Sequence, residues 1–181
     1  MMNAGSRFRA WFAVVGVVLW LGVTPAAWAQ NEKWTTYKNR YMSFDYPASW
    51  SKTELSEVPA GLTSMLPQFL SSLVTVQTPV VQLTTPDGQS ALVYAGVGLV
   101  SWAIAGLGLI QPGVLADTTS GPGALAGATG RLVALASQNG TLVGVLTMSA
   151  PQQGFDSMNT SYFNRIAQSF CLVQDNTCFK K

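Results

Sequence analysis

From Gly88 to Ala116 the chain carries no charged residue, and the middle of that stretch, Ser90 to Ile110, reads SALVYAGVGLVSWAIAGLGLI. A run of this kind has three outlets. It crosses a bilayer as a helix of ~20 apolar residues, it fills the interior of a folded domain, or it forms a partly exposed surface for a partner or for lipid. Its length and its small residues, Ala91, Ala95 and Gly98, suit a span, because they let helices approach closely. The flanks do not. The nearest basic residues are Lys52 and Arg131, so the usual orientation signal for a span is missing. Pro86-Asp87-Gly88 is a turn signal. It sets Pro79–Thr85 and Ala91–Val97 as the two strands of a hairpin, the second apolar on both faces and so covered on both sides. Burial against helices stabilises each large side chain by about 1.5–3 kcal/mol, which is reason enough for the apolarity. Core is therefore the favoured reading, with a membrane-integrated protein through residues 90–110 as an alternative. From Gly98 to Ile110 the alternation lapses and the segment could be helical, until Gln111-Pro112-Gly113 stops it.

A second apolar segment lies at the start. Arg7 and Arg9 precede an apolar stretch from Trp11 to Val23, Pro25 breaks it, and Ala27-Trp28-Ala29 offers small residues around a cleavage site. Residues 1–29 read as a secretory signal peptide, and 30–181 as one globular domain with a C-terminal tail at 171–181. Loss of Arg7 and Arg9 reduces the 10 basic residues to 8, against 8 acidic. The near-neutral product lacks the basic excess of a nucleic-acid binder. Only 10% of the residues are charged, where about 25% is usual, so much of the surface is buried, in contact with lipid or covered by a partner.

Cys171 and Cys178 stand in CLVQDNTC, with Asp175 and Asn176 between them as turn formers. In an oxidising compartment they are candidates for a disulfide, the alternative being two unlinked thiols. A metal site is disfavoured, since the chain has no His and four N or S ligands are typical of zinc.

The local patterns sketch the rest. Residues 34–46, WTTYKNRYMSFDY, read as a hairpin around Lys38-Asn39-Arg40. Met42, Phe44 and Tyr46 alternate with polar neighbours, and Pro47 ends the run. Leu62–Val74 has helical spacing, with Pro67 starting or kinking the helix. Residues 117–123, DTTSGPG, read as loop. Asn139-Gly140 predicts a two-residue type I′ turn, because that turn needs positive φ at both central positions, between strands at 130–138 and 141–149. Phe155, Met158, Tyr162, Phe163, Ile166 and Phe170 form one apolar stripe of an amphipathic helix over Pro151–Phe170.

Read together, Phe44, Tyr46-Pro47 and Trp50 near the start, Gly127 before the long hairpin, and Ile166, Ser169 and Phe170 near the end make the chain resemble the PsbP-like family, named for the extrinsic lumenal protein of photosystem II. The resemblance runs over residues 34–170. It implies an α+β fold, an antiparallel β-sheet with helices packed on its faces, in the α/β/α sandwich of that family. It also implies a non-enzymatic accessory or protein-binding role in a periplasm, a thylakoid lumen or the extracellular space. No functional residues carry over, because the matched positions are core and turn residues.

Catalytic patterns are weak. Without His, neither a Ser-His-Asp nor a Cys-His system can form. Ser49-Trp50-Ser51-Lys52 has the S-x-x-K spacing but lacks its partner motifs. Gly96-Val97-Gly98 is followed by Ser101 where a third glycine belongs, so the distant Asp117 does not complete a dinucleotide fingerprint. Glu54 and Glu57 are a solvated pair rather than a calcium loop. Asn139 and Asn159 head formal glycosylation sequons that structure alone accounts for. The expectation is no catalytic residue, no cofactor and no metal. The partner is another protein of unknown identity, and the alternative role is that of a carrier for an apolar ligand lined by the Gly-rich middle.

Overall fold

The computed structural model describes residues 32–124 and 127–179, with the backbone alone for 120–122; the leader expected over 1–29 lies outside them. The chain runs β1 (Trp34–Lys38), β2 (Met42–Pro47), β3 (Ser51–Leu55), α1 (Ala60–Met65), α2 (Gln68–Leu73), β4 (Val74–Thr84), β5 (Leu92–Val100), α3 (Trp102–Gly106), β6 (Gly113–Pro122), β7 (Ala128–Ala136) and β8 (Leu142–Pro151). A helical rod follows, made of a 3₁₀ turn (Gln152–Gly154), α4 (Phe155–Met158), a π turn (Asn159–Phe163) and α5 (Asn164–Ser169), and then β9 (Cys171–Leu172) and β10 (Thr177–Cys178). All pairings are antiparallel. The strands divide into a six-stranded sheet, β3-β4-β5-β8-β7-β6, and a four-stranded one, β1-β2-β9-β10. The fold is α+β, as expected, with the sheet in two parts.

The uncharged run from Ser90 to Ile110 is divided between strand and a short knuckle. Leu92–Val100 is the third strand of the large sheet, between β4 and β8. Its alternate residues serve two cores. Val93, Ala95 and Val97 face the helical rod and the small sheet, whereas Leu92, Tyr94 and Val100 face α1 and α2. Both faces of an antiparallel strand are thus buried, and alternation with polar residues disappears. No helix among the described residues is long and apolar enough to cross a membrane. Residues 90–110 do not form a spanning helix: 92–100 are a strand whose backbone groups pair with β4 on one side and β8 on the other.

Other expectations change in instructive ways. Residues 113–122 form β6, an edge strand, although DTTSGPG carries turn formers. Its two irregularities, between Val114 and Ala116 and between Thr118 and Gly121, absorb them. The single helix expected over 62–74 is two, with Leu66-Pro67 extended between them, as the restriction on a residue before proline requires. The Asn139-Gly140 turn is wider than the expected type I′. Gly140 has φ 65° but Asn139 is not in that region. The amide of Ser137 donates to the Leu142 carbonyl, and that of Gly140 to the Ser137 carbonyl. The Asn139 side chain accounts for the loop, since its Oδ1 accepts from the Ser137 hydroxyl and from the Thr141 amide and hydroxyl. The segment set apart as a tail packs inward, with Leu172 and Phe179 buried.

One core residue lacks a partner. Thr147, 1% exposed on β8, has a hydroxyl with no hydrogen bond among the described residues. A buried hydroxyl without a partner costs about 1–3 kcal/mol of desolvation. Thr147→Val keeps the shape and removes the hydroxyl. It is expected to raise stability by about 1 kcal/mol, read as a higher urea midpoint at unchanged slope. A lower midpoint would show that the hydroxyl is satisfied in solution.

Candidate functional site

Between β5 and β6 the chain leaves the sheet as a short knuckle, residues 101–109, SWAIAGLGL. Trp102 is 87% exposed, Leu107 69% and Leu109 66%, while Ile110, the next residue, is buried. Glycines at 106 and 108 deny the segment the side-chain contacts that would hold a longer helix, so α3 is only five residues long. Leu99 at the end of β5 and Val114 at the start of β6 extend the apolar surface at 43% and 45% exposure. Soluble monomers bury such groups where they can, and Trp102 alone presents on the order of 200 Å². Beside the knuckle lies an open groove of about 460 Å³ between α2, the start of β4 and the end of β5. Its floor is apolar, through Val74 and Val100, and its rim carries Ser71, Ser72, Thr75, Gln77 and Ser101, with no ionisable group in the lining.

A second cluster is buried and complete. Arg131 on β7 is 3% exposed. Its Nε donates to Asp117 Oδ1 at 2.9 Å and its second terminal nitrogen to Oδ2 at 3.3 Å. The other terminal nitrogen donates to the side-chain oxygens of Asn159 at 2.9 Å and Asn164 at 2.7 Å. Five residues of α-helix would turn those two asparagines about 140° apart. The π turn between them widens the helix and aims both at one guanidinium. The cluster ties the helical rod to β6 and β7.

The candidates raised by sequence patterns are mostly absorbed by structure. Ser49 is exposed in a turn, its amide donating to Glu32 at 3.3 Å. Lys52 belongs to β3, where it lies 3.6 Å from Glu54 and over the Tyr37 ring. Gly96 and Gly98 sit within β5, where a side chain at either would meet β4. Gly98 faces Val74, and Gly96 faces Val76, Val80 and Leu62, so these glycines are close-packed rather than the lining of a cavity. Asp117 is a strand residue held by Arg131 and not part of a loop. Among the described residues no three potential metal ligands converge. Asn159 serves Arg131 and Asn139 its own loop. Trp50 is buried and stacks 5.4 Å from Tyr162. The sulfurs of Cys171 and Cys178 lie at bonding distance, 2.08 Å. The amide of Val173, beside them, donates to the Tyr41 carbonyl. The exposed knuckle was the residue set least visible in advance. Its one signal is the break in alternation after Gly98, which coincides with a tryptophan in a glycine-rich context.

Two carboxylates are tuned by their loops. Asp87 in the β4–β5 turn accepts from the Ser90 and Thr85 hydroxyls and from the Gln89 and Ser90 amides, which hold its carboxyl well below the usual carboxylate range. Burial works against ionisation of Asp175, but the Gln138 amide and the hydroxyl and amide of Thr177 outweigh it, so its carboxyl is also lowered. In the unfolded chain an aspartate titrates near pH ~3.9. The stabilisation from both groups is therefore complete above that value and is lost as pH falls below it. Thermal melts from pH 5 to pH 3 are expected to fall in the native chain and to fall less steeply in Asp87→Asn. Equal slopes would mean that Asp87 ionises as it does when unfolded.

No family model matches the sequence, and no curated protein matches it. The chain is similar to the solution structure of cyanobacterial PsbP (CyanoP) from Synechocystis sp., at a TM-score of 0.42 and 10% identity, over 78% of this chain and 93% of that one. The likeness is a weak PsbP-like resemblance of fold.

Proposed function

We propose that the protein is an exported, non-enzymatic accessory protein that binds another protein through its 101–109 knuckle. The observation that carries this reading is the exposure of Trp102, Leu107 and Leu109 together on one uncharged excursion from the large sheet. Large apolar groups left in water in this way cost free energy that a partner recovers, and tryptophan is among the residues most often found as interface anchors. Export is supported by the basic, apolar and small-residue order of residues 7–29 and by a cysteine pair at bonding distance, which suits an oxidising compartment.

The test is affinity purification of the tagged chain from the exported fraction, beside a Leu107→Ser/Leu109→Ser variant. A reproducible, stoichiometric partner is expected with the native chain. The variant should weaken it by roughly 30-fold or more, the effect of losing about 2 kcal/mol at an anchor, with an unchanged melting temperature. Equal recovery by both chains would remove the knuckle from the interface, and recovery of no partner by the native chain would remove the reading. N-terminal sequencing of the same material should begin at Gln30, and a chain that still begins at Met1 would refute cleavage.

A further inference from the structure

We propose that the groove beside Trp102 is a binding site for a neutral carbohydrate ring; it shares Trp102 with the docking surface, whereas Leu107 and Leu109 lie outside its lining. Three features of the groove point to one ligand chemistry. Its lining contains no ionisable side chain, so it offers no counter-charge to an anionic or cationic ligand. Trp102 stands at its rim almost fully exposed, a flat apolar face suited to the C–H face of a sugar ring. The polar rim, in addition, is rich in acceptors, with the Thr75 and Ser101 hydroxyls beside them. The Ser71 hydroxyl donates its one proton to the Gln68 carbonyl and that of Ser72 to the Phe69 carbonyl, both at 2.9 Å. The Gln77 amide nitrogen donates one of its two protons to the Thr75 carbonyl at 3.0 Å, which leaves the second proton to donate and Oε1 to accept. With the Ser71 and Ser72 protons committed and Gln77 able both to donate and to accept, the rim calls for a ligand that donates and accepts hydrogen bonds without carrying charge. A compound rich in hydroxyls, with one apolar face, meets all three conditions. The volume, about 460 Å³, lies within the range of small-ligand sites, and one or two sugar rings would occupy it.

The experiment is a titration of the intact chain with neutral oligosaccharides, namely hexamers of β-1,4-glucose and β-1,4-N-acetylglucosamine and a heptamer of α-1,4-glucose. Calorimetry and the indole N–H resonance of Trp102 follow the binding. At least one of them is expected to saturate with a Kd of roughly 0.1–1 mM, the weak end of specific recognition. Trp102→Ala should weaken that binding at least tenfold, Trp102→Phe should retain most of it, and Gln77→Ala should weaken it several-fold. All three should leave the melting temperature unchanged. Leu107→Ser/Leu109→Ser should leave saccharide affinity unaltered, which separates failure of this site from failure of the docking reading. The proposal is overturned if no saccharide saturates at about 10 mM, or if binding survives Trp102→Ala undiminished.

Discussion

An Arg131→Met variant is expected to lose about 3–5 kcal/mol of stability in urea unfolding, the cost of stranding the partners of a buried ion pair. Arg131 is the hub of four polar contacts in a place where water does not reach. Its removal takes the guanidinium away from the Asp117 carboxylate, only 13% exposed, and from two asparagine oxygens. Methionine fills the volume, so the loss isolates the electrostatic and hydrogen-bond part from a cavity effect. Two further readings bear on it. Adding Asp117→Asn to Arg131→Met should recover part of the loss, because the partly buried carboxylate charge goes with it, and the double-mutant cycle should show strong coupling. The amides of residues 159–163 should also exchange faster with solvent, since the guanidinium that holds Asn159 and Asn164 together across the wide turn is gone. A loss under about 1 kcal/mol would assign Arg131 the small role of a surface pair.

Gly144→Val is expected to destabilise by about 3 kcal/mol, although valine favours strands and glycine does not. Gly144 stands on β8 between Val97 and Leu135, at the point where the last part of the chain crosses the sheet. A Cβ there would lie 2.9 Å from both Leu172 and the Phe170 ring, each fully buried. The glycine is a notch into which the end of the helical rod and β9 fit, and valine would lift both off the sheet. Adding Phe170→Leu should return part of the stability by shortening the opposing side chain. Stabilisation by Gly144→Val alone would show that the two layers are looser than this contact requires.

Much of the architecture is legible along the chain wherever the deciding contacts are local. Met42, Phe44 and Tyr46 alternate because β2 has one face on the core. The stripe from Phe155 to Phe170 has helical spacing because those residues share the side that meets the sheet, and Pro86-Asp87-Gly88 marks its hairpin through the preferences of three adjacent residues. The π turn escaped the same reading, since an apolar stripe does not record one extra residue in a helical turn. Strand β6 escaped it too. Ser, Thr and Gly read as loop until β7 supplies the pairing, and an edge strand with two irregularities tolerates them.

The candidate site was less legible than the fold. Apolarity alone could not separate Val97, buried at 3%, from Trp102, exposed at 87% five residues later. Both stand in the same charge-free run, and the difference is only whether another element covers them. Arg131 poses the converse case, a charge that looks solvated in isolation and is buried because partners 14, 28 and 33 residues away arrive around it. By itself, then, the order of residues determined most of the strands, the Pro86-Asp87-Gly88 turn and the apolar content, all of which depend on neighbours within a few positions. Tertiary structure alone decided which apolar residues are sheltered and which face outward, and which polar groups meet, because those outcomes depend on contacts that form only when distant strands and the helical rod come together.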